Sequence, residues 1–207
     1  MKKCARFVVL AVSLFGALSA TAGAVTWKNS GDTAFTATGG AVTLTSTGAN
    51  VSCSSGTITG TVASGPFVGA TWSVATGTGH STSCSLAGVA TTVHCSATLT
   101  ATSWAAGTPA VTTGTSDVTC DVRQFGAKIC HIGGTGGGTY TNPVLPSTFG
   151  KLATGTGTGN LKVSNGTSGT CPLGNGDRAF VSPGGSAVNG ATGGPTPHLG
   201  PIITRTP

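Results

Sequence analysis

Along most of the chain apolar and polar residues alternate singly, which is the period of a strand and not of a helix. The longest such run is 89–101. Val89, Val93, Cys95, Ala97, Leu99 and Ala101 share one parity, and Thr92, His94, Ser96, Thr98 and Thr100 share the other. A half-buried antiparallel strand with its threonines toward water is the expected result. Val42 and Leu44 within 41–45, and Ile58 and Val62 within 57–62, repeat the pattern on a smaller scale. Further strands are expected at 69–75, 110–115, 117–122, 128–132, 138–141, 160–164 and 178–182. Gly, Asn and Pro separate them, and Asn165-Gly166 and Asn175-Gly176 are dipeptides that accept positive φ in a turn. Short strands at this spacing predict an all-β fold, an antiparallel sandwich that is immunoglobulin-like in general architecture.

The first 24 residues depart from that pattern. Lys2, Lys3 and Arg6 precede an apolar run over 7–18, and small residues lead into Ala22-Gly23-Ala24. This is the layout of an export signal cleaved after Ala24 or Ala22. The run is short for a membrane span, which takes about 20 residues. Cys4 precedes the run, so it is expected to leave with the signal and not to carry a lipid. A secreted β-domain over 25–182 should follow, with no membrane span after processing. From 183 to 207 the composition turns to Gly, Pro, Ala and Asn, and a flexible tail is expected there. Prolines cannot donate to a central ladder. Ile202-Ile203-Thr204 could still dock as a short edge strand. The glycine run 133–138 is expected to be a loop.

Composition sharpens this picture. The 207 residues hold 10 Lys+Arg, 4 acids that are all Asp, and 35 Gly. Coiled coils and exposed helical bundles need far more charge and leucine. Removing residues 1–24 leaves 183, takes away Lys2, Lys3 and Arg6, and lowers the net charge from +6 to +3. The remaining cations are scattered, so no track for nucleic acid exists and nucleic-acid binding is not expected. Val, Ile, Leu and Phe make up only about 18% of what remains. Threonine partly compensates, because its branched Cβ favours extended backbone.

Processing also leaves six cysteines: Cys53, Cys84, Cys95, Cys120, Cys130 and Cys171. An even count in an exported chain reads as a disulfide framework. His94-Cys95 and Cys130-His131 are adjacent pairs, but no Cys-x-x-Cys or His-x-x-x-His spacing supports a metal site, and none is expected. A hairpin turning near Gly107-Thr108 opposes residues whose numbers sum to 215, which brings Cys95 to Cys120. A competing hairpin about Phe125 would oppose Cys120 and Cys130 instead.

Catalytic motifs are scarce. There is no Gly-x-Ser-x-Gly elbow. His80, His94, His131 and His198 could in principle join a serine and an aspartate across strands. His94, on the threonine parity, reads first as a solvated strand histidine. Asp117 and Asp121 share a face but lie about 13 Å apart along a strand, outside the roughly 5–9.5 Å that glycosidase carboxylates need. Asp121 and Arg123 read as a surface charge pair. Gly155-Thr-Gly-Thr-Gly159 lacks the lysine and helix of a phosphate loop. Trp72 and Trp104 are candidates for stacking on a sugar or filling a partner's pocket, although core packing competes for such side chains. No catalytic, cofactor or metal residue is expected.

One ordered set of features carries a resemblance. An early strand ends in Cys53 and is followed by Gly-Thr-Ile-Thr-Gly-Thr-Val over 56–62. Then come Cys84, a long Thr-alternating strand ending Ser103-Trp104, Val111-Thr-Thr-Gly114, Cys130, Gly138-Thr-Tyr-Thr-Asn142, Leu161-Lys-Val-Ser164, Cys171 and Gly176-Asp177. Over roughly residues 33–182 this resembles a group of small exported β-rich proteins of actinobacteria that lack an assigned activity. The resemblance implies Cys53–Cys84 and Cys130–Cys171 pairing, with Cys95–Cys120 as an added bridge, and brings no catalytic residues. The Gly/Pro-rich end departs from it, since a longer final strand would be expected. The expected function is binding or structural display by an exported, non-enzymatic β-domain at or near the cell surface, with a surface glycan or protein as partner. A secreted hydrolase with a His/Asp site assembled across strands is the alternative.

Overall fold

The computed structural model describes residues 24–39, 41–144, 149–168, 171–181, 185–190 and 200–207. Apart from Ala24, the expected export signal lies outside the described residues. No described residue is helical, and no helix among them is long and apolar enough to cross a membrane.

Six short strands come first: β1 (Thr26–Asn29), β2 (Ala34–Gly39), β3 (Val42–Thr45), β4 (Asn50–Cys53), β5 (Gly56–Val62) and β6 (Phe67–Val68). Four long strands follow: β7 (Trp72–Leu86), β8 (Val89–Ala105), β9 (Val111–Gln124) and β10 (Ala127–Thr141). The last five are β11 (Gly150–Gly159), β12 (Leu161–Asn165), β13 (Arg178–Val181), β14 (Gly185–Gly190) and β15 (Ile203–Thr206). Pairing is antiparallel throughout.

The long strands lie side by side as one wall, in the order β7-β8-β9-β10. Each half of that wall is covered by shorter strands. At one end β7 pairs with β5, and the ladder continues through β2, β14 and β11 back to β10. At the other end β7 pairs with β4, and β3, β13 and β12 lead back to β10. The architecture is therefore an all-β sandwich that nearly closes into barrels at both ends. A small sheet in the order β15-β1-β6 stands apart from this ladder.

Side-chain alternation places both cores on one face of the wall. One core gathers Leu44, Val51, Leu86, Val93, Val122, Ile132, Leu161, Val163 and Leu173 with Cys84, Cys120, Cys130 and Cys171. The other gathers Trp27, Phe35, Ala37, Val62, Trp72, Val74, Ala75, Ala101 and Ile203, with Trp104 and Tyr140 against it. Disulfides thus fill one end and aromatic rings the other.

Hairpin register decides which cysteines meet. From Thr92↔Arg123 to Ala101↔Gly114 opposed numbers in β8 and β9 sum to 215, so Cys95 faces Cys120. The hairpin about Phe125 forms as well. A bulge between Lys128 and Cys130 shifts it, so Cys120 faces Ile132 and Cys130 faces Val122. Disulfides join Cys95 to Cys120, Cys53 to Cys84 and Cys130 to Cys171, with Cα–Cα distances of 4.0, 3.9 and 4.9 Å.

Several segments differ from expectation. The glycine run 133–138 is not a loop but the middle of β10. Glycine is required at Gly134, where φ is +143° and a β-carbon would collide with the Asn160 carbonyl. Close approach of two backbones, not looseness, explains the composition there. The region from 183 was expected to be flexible, yet 185–190 is β14, paired on both sides by β2 and β11. That stretch is free of proline, and the prolines at 195 and 197 lie outside the described residues. Ile203–Thr206 does dock as an edge strand, on β1. It is held by Asn142, a buried side chain that donates to the Ile203 carbonyl at 2.7 Å and accepts from its N–H at 3.0 Å.

Candidate functional site

The face of the wall opposite the cores is polar and regular. Because β5, β7, β8, β9 and β10 are paired in register, outward residues form rows across the strands. One row runs Thr61, Thr76, Thr98, Asp117, Thr135. The next runs Thr59, Thr78, Ser96, Thr119, Gly133 and ends on Lys162 of β12. The third runs Thr57, His80, His94, Asp121, His131, Ser164. Neighbouring strands lie about 4.8 Å apart and alternate residues about 6.8 Å, so hydroxyls populate a nearly rectangular grid.

This grid floors an open trough. Its threonine half, including Thr61, Thr76, Thr98 and Asp117, encloses ≈ 610 Å³, and its histidine half, with His80, His94, Asp121, Lys128 and His131, ≈ 670 Å³. Thr59, Thr78, Ser96 and Thr119 belong to both halves. Thr57, Thr59, Thr61, Thr76, Thr78 and Thr119 are exposed. The Ser96 and Thr119 hydroxyls hydrogen-bond to each other at 2.6 Å.

Charge concentrates at the histidine end. Asp121 accepts hydrogen bonds from Lys128 Nζ at 2.7 Å and from His131 Nδ1 at 2.8 Å, while Arg123 stands 4.0 Å away. The expected Asp121–Arg123 pair is therefore the weakest of three contacts. Burial acts to raise the Asp121 pKa, but the hydrogen bonds and charges of Lys128 and His131 outweigh it and hold the carboxyl below its ordinary value of 3.8. His94 is exposed, as a solvated strand residue should be, and its ring packs against that of His80 with centroids 4.5 Å apart.

The tryptophans point the other way. Trp72 is 3% exposed and packs against Trp27, so it belongs to the core and not to a binding surface. Five residues of strand and a bulge after Ser73 separate it from the outward parity of His80 and Thr78. Trp104 is half-buried and donates its indole N–H to the Ile203 carbonyl at 3.2 Å. A second bulge, after Ala101, turns it toward the core. Core packing, the competing reading of these rings, is what the structure shows, and the bulges that aim them inward leave no reliable trace in a single sequence. Tyr140, at the same end, donates its hydroxyl to the Pro201 carbonyl at 2.7 Å. Burial, and then the nearby Asp32 charge, push its pKa far above the ordinary value, so it remains a protonated donor.

Sequence reasoning placed His80, His94 and His131 in separate segments and saw no link between them. Only the strand pairing lines them up. Asp121 and His131 form the couple that a hydrolytic relay would need, but among the described residues no serine or threonine hydroxyl bonds to the His131 ring. Comparison with known proteins finds no matching family, no matching curated relative and no matching solved structure.

Proposed function

We propose that the chain is an exported, non-enzymatic β-domain that acts at or near the cell surface by binding a glycan along the hydroxyl-floored trough. The observation that carries this reading is the in-register grid of Thr and Ser across five strands. A sugar chain presents hydroxyls at short, repeated intervals, and a rigid grid of donors and acceptors can meet several at once. The six disulfide-bonded cysteines fit an oxidising compartment. A protein partner is the weaker choice, because protein interfaces concentrate their energy in Trp, Tyr and Arg anchors, and none of these is among the described residues that line the trough.

The test applies the oxidised protein to an array of purified polysaccharides and peptidoglycan fragments. Retention of at least one glycan class is expected. The variant Thr59→Val/Thr78→Val/Thr119→Val keeps shape and strand propensity while removing three hydroxyls. At about 1 kcal/mol for each hydrogen bond, affinity should fall by roughly 100-fold. No retention on any glycan, or equal retention by the variant, would overturn the proposal.

A further inference from the structure

Three of the chain's four histidines come together on one row of the trough, although they lie in different strands far apart in sequence. We propose that His80 and His94 form a two-imidazole chelate for a divalent late-transition-metal ion, Cu2+ foremost, with Ni2+ and Zn2+ behind it.

The geometry begins with register. His80 on β7 is directly opposite His94 on β8, and both project from the outward face. Directly opposed side chains start from Cβ atoms about 4.5–5.5 Å apart. Two imidazole nitrogens bound to one ion at about 2.0–2.1 Å each stand roughly 3 Å from one another. The rings already lie at 4.5 Å between centroids with an interplanar angle of 51°, so small rotations about the side-chain torsions are enough to aim one nitrogen of each at a common point. Neither ring has a hydrogen bond or ion pair with another described residue, so ligation breaks none.

The binding energy has to come from the imidazole nitrogens, because Lys128 and Arg123 offset the one nearby carboxylate, Asp121. Asp121 stands directly opposite His94 on the far side from His80. Its carboxylate is already taken by Lys128 and His131, so it is not a ligand. Among the described residues no three His, Cys, Asp or Glu side chains converge on one point. The site is thus a two-residue chelate with water completing the coordination. Imidazole donors select copper, nickel and zinc over calcium and magnesium, which prefer oxygen. Copper(II) leads because it heads the stability order for such ligands. The open positions would face the trough, where a bound molecule's oxygens could replace water.

Copper(II) titration of the oxidised protein at neutral pH, followed by calorimetry and electron paramagnetic resonance, tests this directly. One Cu2+ per chain is expected, with hyperfine structure from two nitrogens. His80→Asn and His94→Asn should each weaken binding by at least the roughly 10–100-fold that even a lost supporting partner costs a metal site. His131→Asn and His198→Asn should leave it unchanged. A measurement on the unmodified protein guards against misfolded variants: substoichiometric Ni2+ should broaden the ring-proton resonances of His80 and His94 before those of His131 and His198. Copper affinity unaltered by both His80→Asn and His94→Asn, or broadening that begins elsewhere, would overturn the proposal. So would no binding at millimolar Cu2+. None of these outcomes depends on glycan retention, so the two proposals fail separately.

Discussion

Phe125 sits at the first position of the tight turn between β9 and β10 with φ +49°, and Gly126 follows at +82°. Two positive φ values in succession mark a hairpin turn of the mirror-image kind, which favours Asn-Gly. A bulky side chain in the left-handed region costs roughly 1–2 kcal/mol, whereas Asn tolerates it. Phe125 is also 95% exposed, so its ring recovers almost nothing by burial. Phe125→Asn should therefore raise stability by about 1 kcal/mol, read as a higher urea midpoint with an unchanged slope. A lower midpoint would mean that the ring contributes through contacts the fold does not display. The hairpin between β7 and β8 repeats the geometry with Ala87 at +50° and Gly88 at +80°, and needs no large ring to do so.

Strands and their pairing set how much of this molecule could be read from its sequence. The parity of 89–101 was legible. The register that opposes Cys95 to Cys120 was one of two open choices, because the hairpin about Phe125 competed with it and only the bulge after Lys128 separates them. Strand length was not legible. Two strands, 110–115 and 117–122, were expected where β9 runs unbroken through Ser116, and within it Gly114 lets Thr100 on β8 approach, where a β-carbon would meet its carbonyl. The histidine row was invisible for a related reason: it depends on three registers, each adjusted by bulges. Disulfides act at this same level, and they are not equivalent. Cys95–Cys120 bridges strands already paired, so Cys95→Ala/Cys120→Ala should preserve the fold. Its separation of 25 residues corresponds to about 3.5 kcal/mol of lost chain constraint. Cys130–Cys171 instead ties β10 to the segment carrying Leu173, which is 1% exposed. Losing that bridge frees the segment and exposes Leu173, adding about 2 kcal/mol to a similar chain term. Chemical denaturation of the two double-alanine variants should rank Cys130–Cys171 as the larger loss. The reverse order would mean that the 171–177 segment holds itself in place without its bridge.

At the scale of the whole molecule the two ends of the wall are stabilised by different means. The cysteine end packs Leu, Val and Ile around three disulfides, and its core contains no aromatic ring among the described residues. The tryptophan end has no disulfide and relies on Trp27, Trp72, Phe35, Trp104 and Tyr140, with Arg205 lying 5.1 Å over the Trp27 ring. Aromatic burial survives reduction, but the constraint that disulfides place on the unfolded chain does not. Reduction should therefore uncouple the ends, although β7 to β10 run through both. In reductant and moderate urea, amide exchange should quicken first in β3, β4 and β12, which cover the cysteine end. The tryptophan emission should stay characteristic of buried rings until higher urea. Two separated transitions, exchange at one end and fluorescence at the other, would mark partial unfolding in cooperative units. With the bridges intact the two probes should report one transition at one midpoint. If reduction leaves them coincident, the long strands transmit order from end to end, and the molecule has one core in energetic terms despite having two in space.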